Sequence, residues 1–130
     1  TEIIILSDEV YEHILFDGEK HCSISAYPEL AERGIMVASF GKTFHTTGWR
    51  TGYVLAPEPL MKEIRRLYQF IAFSASTPMQ HAIHEYLFDK DTYLHLSSFF
   101  QAKRDRMRAL IAQSRFSLMP SRGSYFQCVT

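Results

Sequence analysis

An α/β layered sheet is the fold class this sequence predicts, and three observations predict it. Short apolar runs at residues 3–6, 35–38 and 53–56 read as strands, the first two uninterrupted enough to be covered on both faces. Stretches with apolar residues at helical spacing alternate with and follow them. Asp8, Tyr11, Ser39 and Lys42 fall at or just past strand ends, where ligands of such sheets usually bind.

Ile3-Ile4-Ile5-Leu6 is rich in β-branched residues and delivers Ser7 to Tyr11 at its carboxyl end. Asp17-Gly18 marks a turn. Residues 28–33, opened by Pro28, read as a short helix closed by Gly34. Ile35-Met36-Val37-Ala38 is a buried strand that presents Ser39 to Lys42, and Tyr53-Val54-Leu55-Ala56 is a third strand. Pro59 opens a helix with Leu60, Ile64, Leu67 and Ile71 on one face. Thr77-Pro78 reads as an N-cap with proline at the first helical position, of a helix running to about Phe88. A long amphipathic helix is expected from about Asp91 to Gln113, with Leu96, Phe100, Met107 and Leu110 on one side. Phe116-Ser117-Leu118 and residues 125–129 read as short strands flanking a turn at Arg122-Gly123. The chain enters a strand at its start and stops inside another, so a central piece of a longer protein is expected.

Composition narrows the function. The 130 residues suffice for a buried core, and 46% hydrophobic with 14% aromatic residues indicate a globular protein. Lysine plus arginine and aspartate plus glutamate number 14 each, which removes the electrostatic case for nucleic acid or an anionic membrane. Lys103, Arg104, Arg106, Arg108 and Arg115 read as a solvated helix face. Cys22 and Cys128 form no CxxC and imply neither a disulfide framework nor a zinc site, so a reducing cytosol is expected. No apolar run approaches membrane-spanning length.

The chemistry concentrates in Ser39-Phe40-Gly41-Lys42-Thr43 and Gly48-Trp49-Arg50. A lysine in a tight, glycine-bearing turn is poised for covalent carbonyl chemistry. A hydroxyl three residues before it and a guanidinium eight after it can hold a phosphate. Together they suggest a phosphorylated aldehyde cofactor attached to Lys42.

Asp8-Glu9-Val10-Tyr11, Ser39-Phe40-Gly41-Lys42-Thr43 and Thr47-Gly48-Trp49-Arg50-Thr51-Gly52-Tyr53, in this order, resemble the class I/II (fold type I) pyridoxal-phosphate aminotransferases. The nearer likeness is to the branch of methionine aminotransferases and kynurenine/glutamine transaminases. It extends to Gly123-Ser124-Tyr125-Phe126 and covers the middle of a much longer family member. The resemblance implies a three-layer α/β/α fold with a mostly parallel sheet. Residues 1–113 would belong to the cofactor-binding large domain, ending in the long interdomain helix, and 114–130 would start the small domain. It implies pyridoxal 5'-phosphate as cofactor, amino acid and 2-oxo acid substrates, a homodimer, and no metal. Lys42 would carry the cofactor and serve as the base that moves a proton. Asp8 would pair with the pyridine nitrogen, Tyr11 would donate to the ring 3'-oxygen, and Ser39 and Arg50 would hold the phosphate. The family's phosphate loop, its ring-stacking aromatic and its substrate-carboxylate arginine have no counterpart within these residues, so the 130 residues alone are expected to be inactive.

Each residue also has a plainer reading. Alone, Asp8 and Tyr11 are a strand-end turn pair, Lys42 a solvated loop lysine, Ser39 a turn hydroxyl and Arg50 a surface ion pair; the joint spacing outweighs these. A phosphate-binding P-loop needs glycine where Met36 stands. Ser39-x-x-Lys42 also fits serine-lysine acylases, but their companion motifs are missing. His81 and His84 share a helix face without a third ligand, and His45, in the loop after Lys42, reads as facing solvent in preference to lining the cofactor pocket. Phe16, Tyr68, Phe70 and Phe73 read as core or subunit interface. A carbon–sulfur β-lyase using the same cofactor, a cofactor-sensing regulatory domain and a purely structural α/β domain are the competing functions.

Overall fold

The apolar runs do form the sheet, and the pairing of its strands sets the rest. The computed structural model describes residues 2–130. The chain divides into two units, one formed by the residues up to Val10 with Cys22–Lys90, the other by Tyr11–His21 with Asp91–Thr130.

In the first unit, β1 (Ile5–Asp8) leads through a 3-10 turn at Ile24–Ala26 and the short helix α1 (Pro28–Ala31) to β2 (Gly34–Ser39). Gly34 opens β2; α1 is closed one residue past its end, where the Glu32 N–H donates to the Pro28 carbonyl. Next come the one-turn helix α2 (Phe40–Thr43), a 3-10 turn at Thr47–Trp49, and β3 (Gly52–Leu55). The sheet order is β1-β2-β3, with β1 parallel and β3 antiparallel to β2. The chain returns from β2 to β3 over residues 40–51, which hold only a one-turn helix and a 3-10 turn and no full crossover helix, and β3 pairs antiparallel, so the sheet is mixed. The central strand alternates buried and half-buried residues, with Met36 and Ala38 in the core. On the edge strand β1, Leu6 is 71% exposed, so the expected double coverage of that run is not met among the described residues. That strand also starts two residues later than its apolar run, because pairing with β2 begins at Ile5 opposite Gly34.

Two helices complete this unit. α3 (Glu58–Ile71) carries Pro59 in its first turn and buries no residue fully. α4 (Thr77–Phe88) buries Ile83; its N-cap is Ser76, one residue before the predicted cap, so Thr77 is helical.

In the second unit, α5 (Asp91–Leu94) and α6 (Leu96–Ile111) replace the single helix expected from 91 to 113. The break falls at His95, whose Nδ1 lies 2.8 Å from the Asp91 carbonyl. Asp17 and Gly18 turn with positive φ (59° and 77°), closed by the Glu19 N–H to the Phe16 carbonyl. Ile14, Phe16 and Leu96 form the core, with Tyr11, Tyr93 and Phe100 packed against it. The segments at 116–118 and 125–129 form no strands and are joined by one isolated antiparallel bridge, Leu118 with Val129; a second isolated bridge links Leu15 with Gly123.

Lys103, Arg106, Arg108 and Arg115 are exposed, as expected of a solvated face, and Arg104 is the exception that corrects that reading. It is 8% exposed, lies 4.6 Å from the Phe16 ring centroid, and donates to both oxygens of Asp17 (2.6 and 2.7 Å). The hydrogen bond from Arg104 holds the Asp17 carboxyl below its ordinary value.

Candidate active site

β1 and β2 run parallel, so their carboxyl ends lie at the same end of the sheet. Asp8 pairs with Val37, two residues before Ser39. β3 runs the other way and begins at Gly52, opposite Ser39, so Arg50 enters from that same end. Register alone therefore gathers Asp8, Ser39, the Lys42 turn and Arg50 within the first unit. Tyr11, three residues past Asp8, begins the second unit.

Each position has a local cause. The exposed Asp8 carboxylate accepts the Val10 N–H (3.2 Å), a short-range turn that ends the strand. Its neighbour Glu9 is buried (6% exposed) and accepts from the Ser7 hydroxyl and the Ile24 N–H, while the Glu9 N–H donates to the Val37 carbonyl. That buried carboxylate, which the sequence reading gave no role, fastens the end of β1. The backbone donor it takes up is the Ile24 N–H at the start of the 3-10 turn, where the first N–H groups have no partner of their own.

Ser39 is half-buried and precedes α2, which places Lys42 in its only turn, half-buried between Gly41 and Thr43, both buried. Thr43 donates through Oγ1 to the Ser39 carbonyl, and the Phe44 N–H donates to the Phe40 carbonyl. A Cβ on Gly41 would stand 3.0 Å from Thr47 Cα and 3.3 Å from Ser39 Oγ, so glycine lets the lysine turn lie against the loop that leads to Arg50. Phe40 stacks on Phe44 and tilts against Tyr53, and Phe44 meets Tyr86 of α4. Aromatic packing thus steadies the turn from outside.

Arg50 is exposed and left-handed (φ 53°, ψ 41°), a conformation a non-glycine residue adopts at a cost of about 1–3 kcal/mol. It closes the 3-10 turn, with one guanidinium nitrogen donating to the Thr47 carbonyl (3.2 Å). His45 at the other end of this loop is also left-handed (φ 56°), and is exposed as expected. Tyr11 packs its ring edgewise on Tyr125 (4.9 Å) and Phe126 (5.9 Å).

The donor set is a carboxylate, an amine, a hydroxyl and a guanidinium at one end of a sheet. It matches what a phosphorylated pyridine aldehyde requires: a partner for the ring nitrogen, a nucleophile for the aldehyde, and donors for the phosphate.

The whole chain, residues 1–130, matches the family model described as aminotransferase class I and II, and the chain belongs to that family. It is 45% identical over 129 residues to the methionine aminotransferase of Escherichia coli (strain K12), covering 98% of this chain and 33% of that protein. It is 36% identical to Homo sapiens kynurenine–oxoglutarate transaminase 1, over 96% of this chain and 32% of the relative. The solved structure of N-succinyldiaminopimelate aminotransferase from Mycobacterium tuberculosis superposes with a TM-score of 0.92 at 31% identity, over 98% of this chain and 33% of that one. The fold is accordingly that of the fold type I aminotransferases. The chain spans about a third of the length of the curated relatives it matches.

Proposed function

We propose that this chain is the cofactor-holding segment of a pyridoxal-phosphate-dependent transaminase, which moves an amine from methionine, an aromatic or another large neutral amino acid to a 2-oxo acid. The observation that carries it is the register that brings Asp8, Ser39, Lys42 and Arg50 to one sheet end. The likeness to a methionine aminotransferase and a kynurenine transaminase supports the donor class. The same reading takes residues 1–113 as part of the large domain and 114–130 as the start of the small one, in a cytosolic homodimer.

The bound cofactor supplies an electron sink for the pair left when a substrate Cα–H bond breaks. The chain's residues do the rest. Lys42 holds the cofactor covalently, and its freed amine takes the proton from the substrate Cα. Asp8, a carboxylate, keeps a proton on the ring nitrogen. Tyr11 donates to the ring 3'-oxygen. Arg50 grips the phosphate through paired N–H groups and Ser39 adds a hydroxyl.

The test is amine bookkeeping on the full-length protein. The 2-oxo acid of the donor should form only when a 2-oxo acid acceptor is supplied. Pyruvate and ammonia from cystathionine without an acceptor would identify a β-lyase instead. The 130 residues by themselves should show no turnover.

A further inference from the structure

We infer that Arg104 is a positioning residue for Tyr11, acting through Asp17 and the Ser121 carbonyl. This rests on the reading of Tyr11 as the donor to the cofactor ring. All the residues concerned lie in the second unit.

Two backbone segments fix Tyr11. One is its own. The Ile14 N–H donates to the Tyr11 carbonyl (2.9 Å), Ile14 and Phe16 sink into the core beside Leu96, and Ser97 donates through its hydroxyl to the Leu15 carbonyl. The other segment carries Tyr125 and Phe126, against which the Tyr11 ring sits edgewise. The Phe16 N–H to the Arg122 carbonyl (2.9 Å) and the Ser124 N–H to the Ile14 carbonyl (2.8 Å) sew the two together.

Arg104 hydrogen-bonds to both segments. Its guanidinium donates to the two Asp17 oxygens at the end of the first and, at 3.3 Å, to the Ser121 carbonyl at the start of the second. It lies over the Phe16 ring and is further anchored by Asp105 (2.9 Å) on its own helix. Gln101, one helical turn earlier, accepts the Asp17 N–H (2.7 Å). A planar fork can make these contacts together; a lysine ammonium, a point donor, cannot span them. Removing the fork frees Asp17, which is half in solvent, and loosens the seam that sets the angle of the Tyr11 ring.

The consequence is spectroscopic. A hydroxyl donating to the cofactor's anionic ring oxygen weakens that oxygen's hold on the neighbouring imine proton, so losing the donor raises the pH at which the visible band of the bound cofactor titrates. In the full-length holoenzyme, Tyr11→Phe should move that midpoint up by about one pH unit. Arg104→Lys and Asp17→Asn should each move it in the same direction, and Arg104→Lys combined with Tyr11→Phe should move it no further than Tyr11→Phe alone. In the cofactor-free full-length protein, Arg104→Lys should speed amide exchange at residues 14–17 and 121–125. If Tyr11→Phe shifts the midpoint while Arg104→Lys and Asp17→Asn leave it at the wild-type value, the positioning role is overturned even where thermal stability falls. If Arg104→Lys does not fold, Asp17→Asn decides, since that side chain is largely exposed. If the wild-type protein has no visible band, or Tyr11→Phe leaves the midpoint unmoved, the cofactor reading itself fails and the inference goes with it.

Discussion

Asp8, the carboxylate proposed to meet the ring nitrogen, has little local architecture around it. It sits exposed at a strand end and its visible bond is one turn contact to the Val10 N–H, worth about 1 kcal/mol. Asp8→Ala should therefore leave folding nearly unchanged while lowering kcat by about 100-fold or more, with the cofactor still attached. Steady-state kinetics beside the visible spectrum would check this, and unchanged kcat would separate Asp8 from the ring nitrogen. That Ser39, Lys42 and Arg50 come to one end of the sheet was legible in the sequence because they lie within twelve residues across a strand end and a turn. Arg104 was not. Its partner Asp17 lies 87 positions away, and the surrounding lysine and arginines look like a wet face. A signal was nevertheless present: Leu96, Phe100 and Arg104 recur every four residues and share the inward stripe of α6.

At the scale of elements, the apolar runs foretold β2, β3 and the two long helices of the first unit to within a residue or two. Pairing, which no local pattern contains, decided where β1 begins and why the chain's last segments bridge without forming strands. The split at His95 has no proline or glycine to announce it. Gly52 shows pairing at its tightest. A Cβ there would stand 2.4 Å from the Ala38 carbonyl oxygen, a backbone atom with nowhere to go. Gly52→Ala should cost about 1–3 kcal/mol, read as a lowered denaturation midpoint, and an unchanged midpoint would mean that β3 is not held so closely against Ser39.

His13 makes a pH prediction for the second unit. Burial, partly offset by Glu12 and reinforced by His21, lowers its pKa below 6.5, and its ring rests on Tyr93 of α5 at 4.9 Å. A base with a depressed folded pKa binds its proton more readily unfolded, so its contribution is complete above pH 6.5 and drains away as pH falls below it. His13→Gln should flatten the acid side of the thermal-stability curve below that pH. A curve of the same slope in wild type and variant would assign the acid sensitivity elsewhere.

For the whole molecule, exposure is the telling quantity. Ile3, Leu6, Leu67, Phe70, Ile71 and Phe73 stand open to solvent, an amount of bare apolar surface that monomeric proteins rarely tolerate. It belongs with a chain spanning about a third of its relatives' length. Sequence alone could flag such residues as core or interface, since both look equally apolar, and could not tell which side of the choice they fall on.

The most direct measurement is borohydride reduction of the full-length holoenzyme followed by peptide mapping. The reduced cofactor should appear on Lys42, and Lys42→Ala should carry none while remaining folded. A pyridoxyl group on any other lysine, or full turnover by Lys42→Ala, would contradict the assignment.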